Sequence, residues 1–149
     1  MTINYGNFKK DLKLGMFYET ISLKQILNYY KNKYTLVATN DDNKFDFLLS
    51  NNKSYEVKAL LKVYKYNTIF VEDTAFRKPS GISISKANFY IFVLIDNCEV
   101  QKTIVISTVK LKRLINEKKY IKYYVDILKS GYLFNLQYLI SESLTIFDC

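Results

Sequence analysis

Apolar and polar residues alternate along this chain first in a helical rhythm and then in a strand rhythm. From Gly15 to Lys31, Leu23, Ile26, Leu27 and Tyr30 recur at three- and four-residue spacings, which predicts an amphipathic helix that Asn32 and Lys33 break. Thr35 to Thr39 reads as a short strand, and Asn40, Asp41, Asp42 and Asn43 as a turn cluster. Two runs, Phe45 to Ser50 and Ser54 to Leu60, flank the polar triplet Asn51, Asn52 and Lys53, which is the pattern of a β-hairpin. Further strands are predicted at Thr68 to Glu72, Phe89 to Ile95, Val100 to Ile106 and Tyr132 to Leu136. Phe76 to Lys86 holds the only proline and a glycine, and reads as a loop leading into a short helical turn. Leu111 to Lys118 reads as a basic helix. Together these elements predict an α/β domain with one long helix, a central sheet and smaller helices.

Composition narrows the picture. With four Gly and one Pro the chain offers few natural linkers and shows no domain boundary, so residues 1–149 are expected to form a single domain, with 49% hydrophobic residues to build its core. No apolar run approaches the ~18 residues of a membrane span, and the first residues lack the apolar core of a secretory signal. Cys98 and Cys149 form neither a disulfide framework nor a metal-ligand spacing. The expectation is a protein that is not secreted and has no membrane partner, placed in the cytoplasm, in a nucleus or with a virus.

Histidine is absent, which excludes Ser-His-Asp and Cys-His catalysis and His-ligated zinc. Hydrolytic chemistry must then rest on carboxylates, lysine, tyrosine, or hydroxyls with a metal. The formal charge of +8 suits a polyanionic partner, though a lysine-coated surface gives the same number.

Strand parity points to the candidate chemistry. Glu56 and Lys58 share one face of their strand while Tyr55, Val57 and Ala59 share the other. Asp46 interrupts the apolar run Phe45, Phe47, Leu48, Leu49 on the partner strand, so a hairpin pairing brings two carboxylates and an ammonium together. Glu19 precedes Leu23, Ile26 and Tyr30 by four, seven and eleven residues, which sets an acid on the apolar stripe of the helix. Buried acids call for a cation. Asp46, Glu56 and Glu19 are hard oxygen donors suited to Mg²⁺, with Mn²⁺ as an expected substitute, and a nearby Lys58 suits the stabilisation of a phosphate. A Glu-x-Lys tripeptide alone is common and carries little; the four residues together carry the reading.

These residues resemble the PD-(D/E)XK nuclease superfamily, and in particular its small members similar to archaeal and viral Holliday-junction resolvases. The resemblance rests on Phe45-Asp46-Phe47-Leu48 followed by Ser54-Tyr55-Glu56-Val57-Lys58-Ala59, in the order helix, hairpin, strand. It extends through Asn67 to Glu72, Lys78-Pro79-Ser80-Gly81-Ile82 and Ser85 to Phe92, so that it covers roughly residues 15 to 106. Phe45 stands where the motif's name has a proline. The resemblance implies a restriction-endonuclease-like αβββαβ core, with a mixed central sheet flanked by helices. It implies Mg²⁺-dependent endonucleolytic hydrolysis of DNA, branched DNA such as Holliday junctions in particular, by a homodimer. Asp46, Glu56 and Lys58 match the motif, and Glu19 matches the upstream helical acid of resolvase-like members.

Around this centre, Glu72 is expected as an outer metal ligand, as a partner of Lys78, or simply as an exposed strand end. Arg77, Lys78, Ser80, Gly81, Ser83, Ser85 and Lys86 form a basic, hydroxyl-rich loop suited to phosphate, or an ordinary turn with Ser85 as a helix cap. Lys110, Lys112, Arg113, Lys118, Lys119 and Lys122 read as a solvated face or as an extension of a phosphate-binding surface, and most of the fourteen tyrosines as core. Two rival functions stay open. One is a restriction, repair or genome-processing nuclease of the same fold; the other is a non-catalytic nucleic-acid-binding module.

Overall fold

The computed structural model describes residues 5–41 and 45–148. Asp42 and Asn43 of the expected turn cluster, and Cys149, lie outside the described residues. Helix α1 spans Tyr5–Tyr29, ten residues longer at its start than the periodicity predicts. Its buried stripe is Tyr18, Ser22 and Ile26 at four-residue spacing, flanked by the half-buried Ile21, Leu23, Leu27 and Tyr30. Lys31 and Asn32, both at positive φ, end it.

The chain then builds β1 (Leu36–Asp41), β2 (Phe45–Leu49) and β3 (Ser54–Leu60) as consecutive antiparallel neighbours. Asn40 does not end β1, which continues through it to Asp41 with Asn40 at positive φ. The β2–β3 turn holds Asn52 at a φ of 64°, and the Asn51 side chain accepts the Lys53 N–H at 3.1 Å. After a single helical turn, α2 (Val63–Tyr66), come β4 (Thr68–Ala75), β5 (Lys78–Pro79) and a 3₁₀ turn over Gly81–Ser83. The remainder is β6 (Phe89–Asp96), β7 (Glu99–Ser107), α3 (Thr108–Asn116), β8 (Ile121–Tyr124), β9 (Ser130–Asn135), α4 (Leu136–Ser141) and β10 (Thr145–Asp148). No described helix is long and apolar enough to cross a membrane.

Two sheets result. The larger is six-stranded and mixed, in the order β1-β2-β3-β6-β7-β10, with β3 and β6 parallel from Tyr55 opposite Phe89 to Leu60 opposite Leu94. The smaller has the order β5-β4-β9-β8, all antiparallel. The near-continuous apolar run of β6 follows from burial on both faces. Ile91, Val93 and Ile95 join Tyr18, Ile26, Phe47, Tyr55 and Val57 in a core under α1. Tyr90, Phe92 and Leu94 join Ile69 and Val71 of β4, Phe134 of β9 and Leu111 of α3 in a second core between the sheets.

The predicted α/β class therefore holds, with differences. The strand starting at Thr68 leaves the central sheet for the second one, because Ile69 and Val71 find their apolar partners in the core between the sheets. The late strand is Ser130–Asn135, and Leu136 opens α4 under an Asn135 cap that accepts the Tyr138 N–H. The basic helix begins at Thr108, where the Ser107 hydroxyl caps it.

Ser22 is fully buried and its hydroxyl lacks a hydrogen-bond partner among the described residues. Ser22→Ala is expected to raise the unfolding free energy by ~1 kcal/mol, because a desolvated, unpaired hydroxyl is removed. Phe134→Ala, at the centre of the second core, is expected to cost ~3–5 kcal/mol. Urea unfolding of both variants checks the pair.

Candidate active site

The hairpin that sets the site is irregular where it matters. β2 and β3 pair at Phe47 with Tyr55 and at Leu48 with Ser54, a register that puts Asp46 next in line with Glu56. There the side chain takes over from the ladder: Asp46 Oδ2 accepts the Val57 N–H at 2.6 Å. The carboxylate is thus laid against β3 beside Glu56, whose Oε1 lies 3.0 Å from Lys58 Nζ. Phe47 and Leu49 on one strand and Tyr55 and Val57 on the other are buried in the α1 core. Alternation therefore turns Asp46, Glu56 and Lys58 toward the opposite face.

The three line a cleft of about 290 Å³, together with Glu72, Ser80 and Ser85. Burial, then repulsion from Glu56, pushes the Asp46 carboxyl up to about 6, against the opposing pull of the Val57 N–H and Lys58. Glu19 rises to about 7, through burial first and then repulsion from Asp46 and Glu56. Burial pulls the Lys58 ammonium down, but attraction and a hydrogen bond from Glu56 outweigh it and hold Lys58 above its ordinary value. Three acids thus act on one another with one lysine among them, a field that favours a cation. Glu19 enters this field from α1, at the edge of the buried stripe, and does not line the cleft. Among the described residues, no three acid or thiol side chains stand close enough to form a metal cluster as they are.

Tyr90 faces the same centre, opposite Glu56 in the parallel β3–β6 register. Burial pushes its phenol up to about 12, so it stays protonated, and its hydroxyl lacks a partner in good hydrogen-bond geometry although Ser85 bears on it. Spacing marks Tyr90 only as a core residue, which its ring is.

The far wall is a clamped loop. Glu72 Oε2 accepts the Ser80 hydroxyl at 2.9 Å, and Oε1 pairs with Lys129 Nζ at 3.2 Å. Glu72 does not hold Lys78, which is exposed; its cation comes from the loop before β9. The carbonyl of Asp73 accepts both the Ser80 N–H and the Ser83 hydroxyl. The Asp73 carboxylate is out of register in the β4–β9 ladder and pairs with Lys122 and Ser130. Burial works against that charge, but the hydrogen bonds from Lys122 and Ser130 prevail and hold Asp73 below its ordinary value. Gly81 sits at a φ of 50°, and a Cβ there would collide with the Glu72 carbonyl.

Of the expected phosphate loop, Ser80, Gly81 and Ser85 line the cleft, while Arg77, Lys78 and Lys86 are exposed outside it. Ser83 is spent on the Asp73 carbonyl. Ser85 caps no helix, since none follows; its hydroxyl accepts the Ala87 N–H at 3.3 Å. In the expected basic surface, Lys110 pairs with Glu142, Arg113 with Glu117 and Lys122 with Asp73, leaving Lys112, Lys118 and Lys119 exposed.

No protein-family model matches this chain, and no curated protein matches it in sequence.

Gly81→Ala is expected to cost ~1–3 kcal/mol, from left-handed strain and the clash with Glu72, and urea unfolding measures it. A second expectation concerns pH. The folded-state values of Asp46 and Glu19 lie above their ordinary ones, so the folded chain binds protons more tightly than the unfolded chain. Their contribution to stability is full below their ordinary values of 3.8 and 4.5, declines as pH rises, and is gone once pH has passed about 6 for Asp46 and about 7 for Glu19. The chain has no histidine to add a titration in that window. Thermal melts in EDTA are expected to show Tm falling from about pH 4 to about pH 7, with Glu19→Gln flattening the upper part of the fall.

Proposed function

We propose that this chain is a divalent-metal-dependent nuclease of the PD-(D/E)XK type, with a restriction-endonuclease-like core, that hydrolyses phosphodiester bonds in DNA. The observation that carries the reading is the Asp46 carboxylate fixed on the Val57 N–H, beside the Glu56–Lys58 pair, in one open cleft. The central β-hairpin with a parallel neighbour, β6, agrees with the expected core. The crossover between β3 and β6 differs from that core, since it carries the one-turn α2 and the excursion into the second sheet in place of a long helix.

The donor set fits a hard cation. Mg²⁺ is commonly held by one or two carboxylates and keeps several waters, which Asp46 and Glu56 satisfy without a third acid closing in. Burial first and repulsion among the acids second raise the Asp46 and Glu19 carboxyls, and a bound cation would relieve that repulsion. Mg²⁺, or Mn²⁺ in its place, would neutralise charge at the phosphodiester and acidify a water.

The protein's own groups supply the rest. The Val57 N–H fixes one oxygen of Asp46 and leaves the other for the cation. Lys58 Nζ, now on Glu56, is placed to donate to a non-bridging phosphate oxygen as charge builds there. Glu19 supports the site as an auxiliary acid, adding negative potential from α1. Ser80 and Ser85 offer hydroxyls along the cleft wall, positioning a phosphate without reading sequence. Branched DNA is the substrate we favour, since the described residues show no base-reading module, and a two-fold dimer would cut two strands symmetrically.

Purified protein with Mg²⁺ is expected to cleave DNA, and EDTA to abolish cleavage. Asp46→Asn, Glu56→Gln and Lys58→Ala are each expected to lower the rate at least about a hundredfold. Metal-independent cleavage, or full activity in Glu56→Gln, overturns the proposal. Intact four-way junctions beside cut linear duplex would remove the junction preference alone. Independently of activity, Mg²⁺ is expected to raise Tm more at pH 8 than at pH 5.5, because protons compete for Asp46 at the lower value.

A further inference from the structure

The cleft does not end at Lys58. It shares Lys58, Glu72 and Gly81 with a depression of about 180 Å³ that also reaches Phe70 and Lys129. That depression shares Ala59, Leu60 and Phe70 with a larger groove of about 720 Å³, walled by Tyr66 and Tyr123. The three thus lie in succession as a track, sharing walls, from the carboxylates across the β3–β4 side of the molecule.

Its lining is unusual for a protein surface. Tyr66 is 58% exposed and Tyr123 47%, and Phe70 meets Tyr123 edge-on at 6.3 Å between ring centres. Three aromatic rings lining one groove, two of them exposed, suit a binding surface. Cations accompany the rings: Lys65 Nζ lies 5.3 Å from the centre of Tyr66, Lys129 Nζ 5.8 Å from that of Phe70, and Lys62 lines the same groove. Flat apolar faces set among ammonium groups complement a ligand that carries its own flat faces on an anionic thread.

We propose that this track holds an unpaired nucleic-acid strand next to the scissile bond, with bases stacked on Tyr66, Tyr123 and Phe70 and phosphates on Lys62, Lys65 and Lys129. The proposal rests on the nuclease reading for its direction, because the track leads into the carboxylate cleft. Paired bases bury their faces against one another, so duplex gains nothing from these rings; a single strand, a flap or the open arm of a branch does. A substrate with unpaired nucleotides beside the cut is therefore the class this surface selects. A peptide partner fits the apolar groove less well, since it leaves the lysines and the succession toward the cleft without use.

The test uses the full chain in EDTA, so that binding is read without cleavage, with labelled oligothymidylate, oligouridylate and a duplex of equal length as probes. Fluorescence anisotropy is expected to show Tyr66→Ala and Tyr123→Ala each weakening single-strand binding about tenfold, with duplex binding unchanged. Tyr66→Phe and Tyr123→Phe keep the ring and are expected to bind as wild type does. Oligonucleotides carrying iodouracil are expected to crosslink at these two positions, and preference for either sugar supports the proposal. It is overturned if wild type binds neither single strand, if folded alanine variants bind unchanged, or if the phenylalanine variants are as weak as the alanine ones. The two readings separate cleanly. Tyrosine-dependent binding together with cleavage indifferent to Glu56→Gln removes the nuclease and keeps the track. Glu56-dependent cleavage with tyrosine-independent binding removes the track and keeps the nuclease.

Discussion

β6 has no solvent face for most of its length, and this constraint organises the molecule. Alternate residues of one strand must be covered from two sides: Ile91, Val93 and Ile95 by α1, and Tyr90, Phe92 and Leu94 by the second sheet and α3. A six-stranded sheet with a helix on one side only would leave the second set in water. At ~25 cal/mol per Å² of apolar surface, the coverage of these large side chains dominates whatever the loops contribute. The excursion of β4 and β5 out of the central sheet is the consequence. The chain leaves β3, forms part of the covering layer, and returns to lie parallel to β3 as β6.

The candidate site lies where that coverage runs out. β3 is the neighbour of β6, and its Tyr55 and Val57 still belong to the α1 core. Its other face, carrying Glu56 and Lys58, meets the rim of the second layer at Glu72 and the Gly81 turn. Acids are tolerated there because water reaches them, yet burial is sufficient to raise Asp46 and Glu19 well above their ordinary values. The Val57 N–H bond keeps Asp46 in place against that repulsion. One backbone N–H fixes Asp46, while Glu56 and Lys58 hold each other through their side chains.

The second layer also contributes the clamp. Glu72 is held between Ser80 and Lys129, and Asp73 between Lys122 and Ser130, so two adjacent acids of β4 tie the loop after it to the strands β8 and β9. Lys129 takes part in both the clamp and the aromatic track, lying over Phe70 while it pairs with Glu72. Any ligand in the track therefore competes for a group that also holds the cleft wall.

Much of this was legible in the residues themselves. Period and parity are local properties, so the long helix, the hairpin and the strands at Phe89 and Val100 could be read from spacing alone, as could the shared face of Glu56 and Lys58. The parity break at Asp46 marked it for the same face. What spacing could not supply was partnership across the chain. The second sheet, the Lys129 and Lys122 pairings and the α1 stripe of Tyr18, Ser22 and Ile26 depend on which faces meet after folding. So does the role of Glu19, which reaches the site as a field from the edge of its helix and not as a residue of the cleft wall. Which elements form, and which residues carry charge on their faces, follows from neighbours two to four positions away, so spacing is enough to read them. Which charges meet follows from burial and pairing between residues far apart in the chain and close together in space, which spacing does not contain.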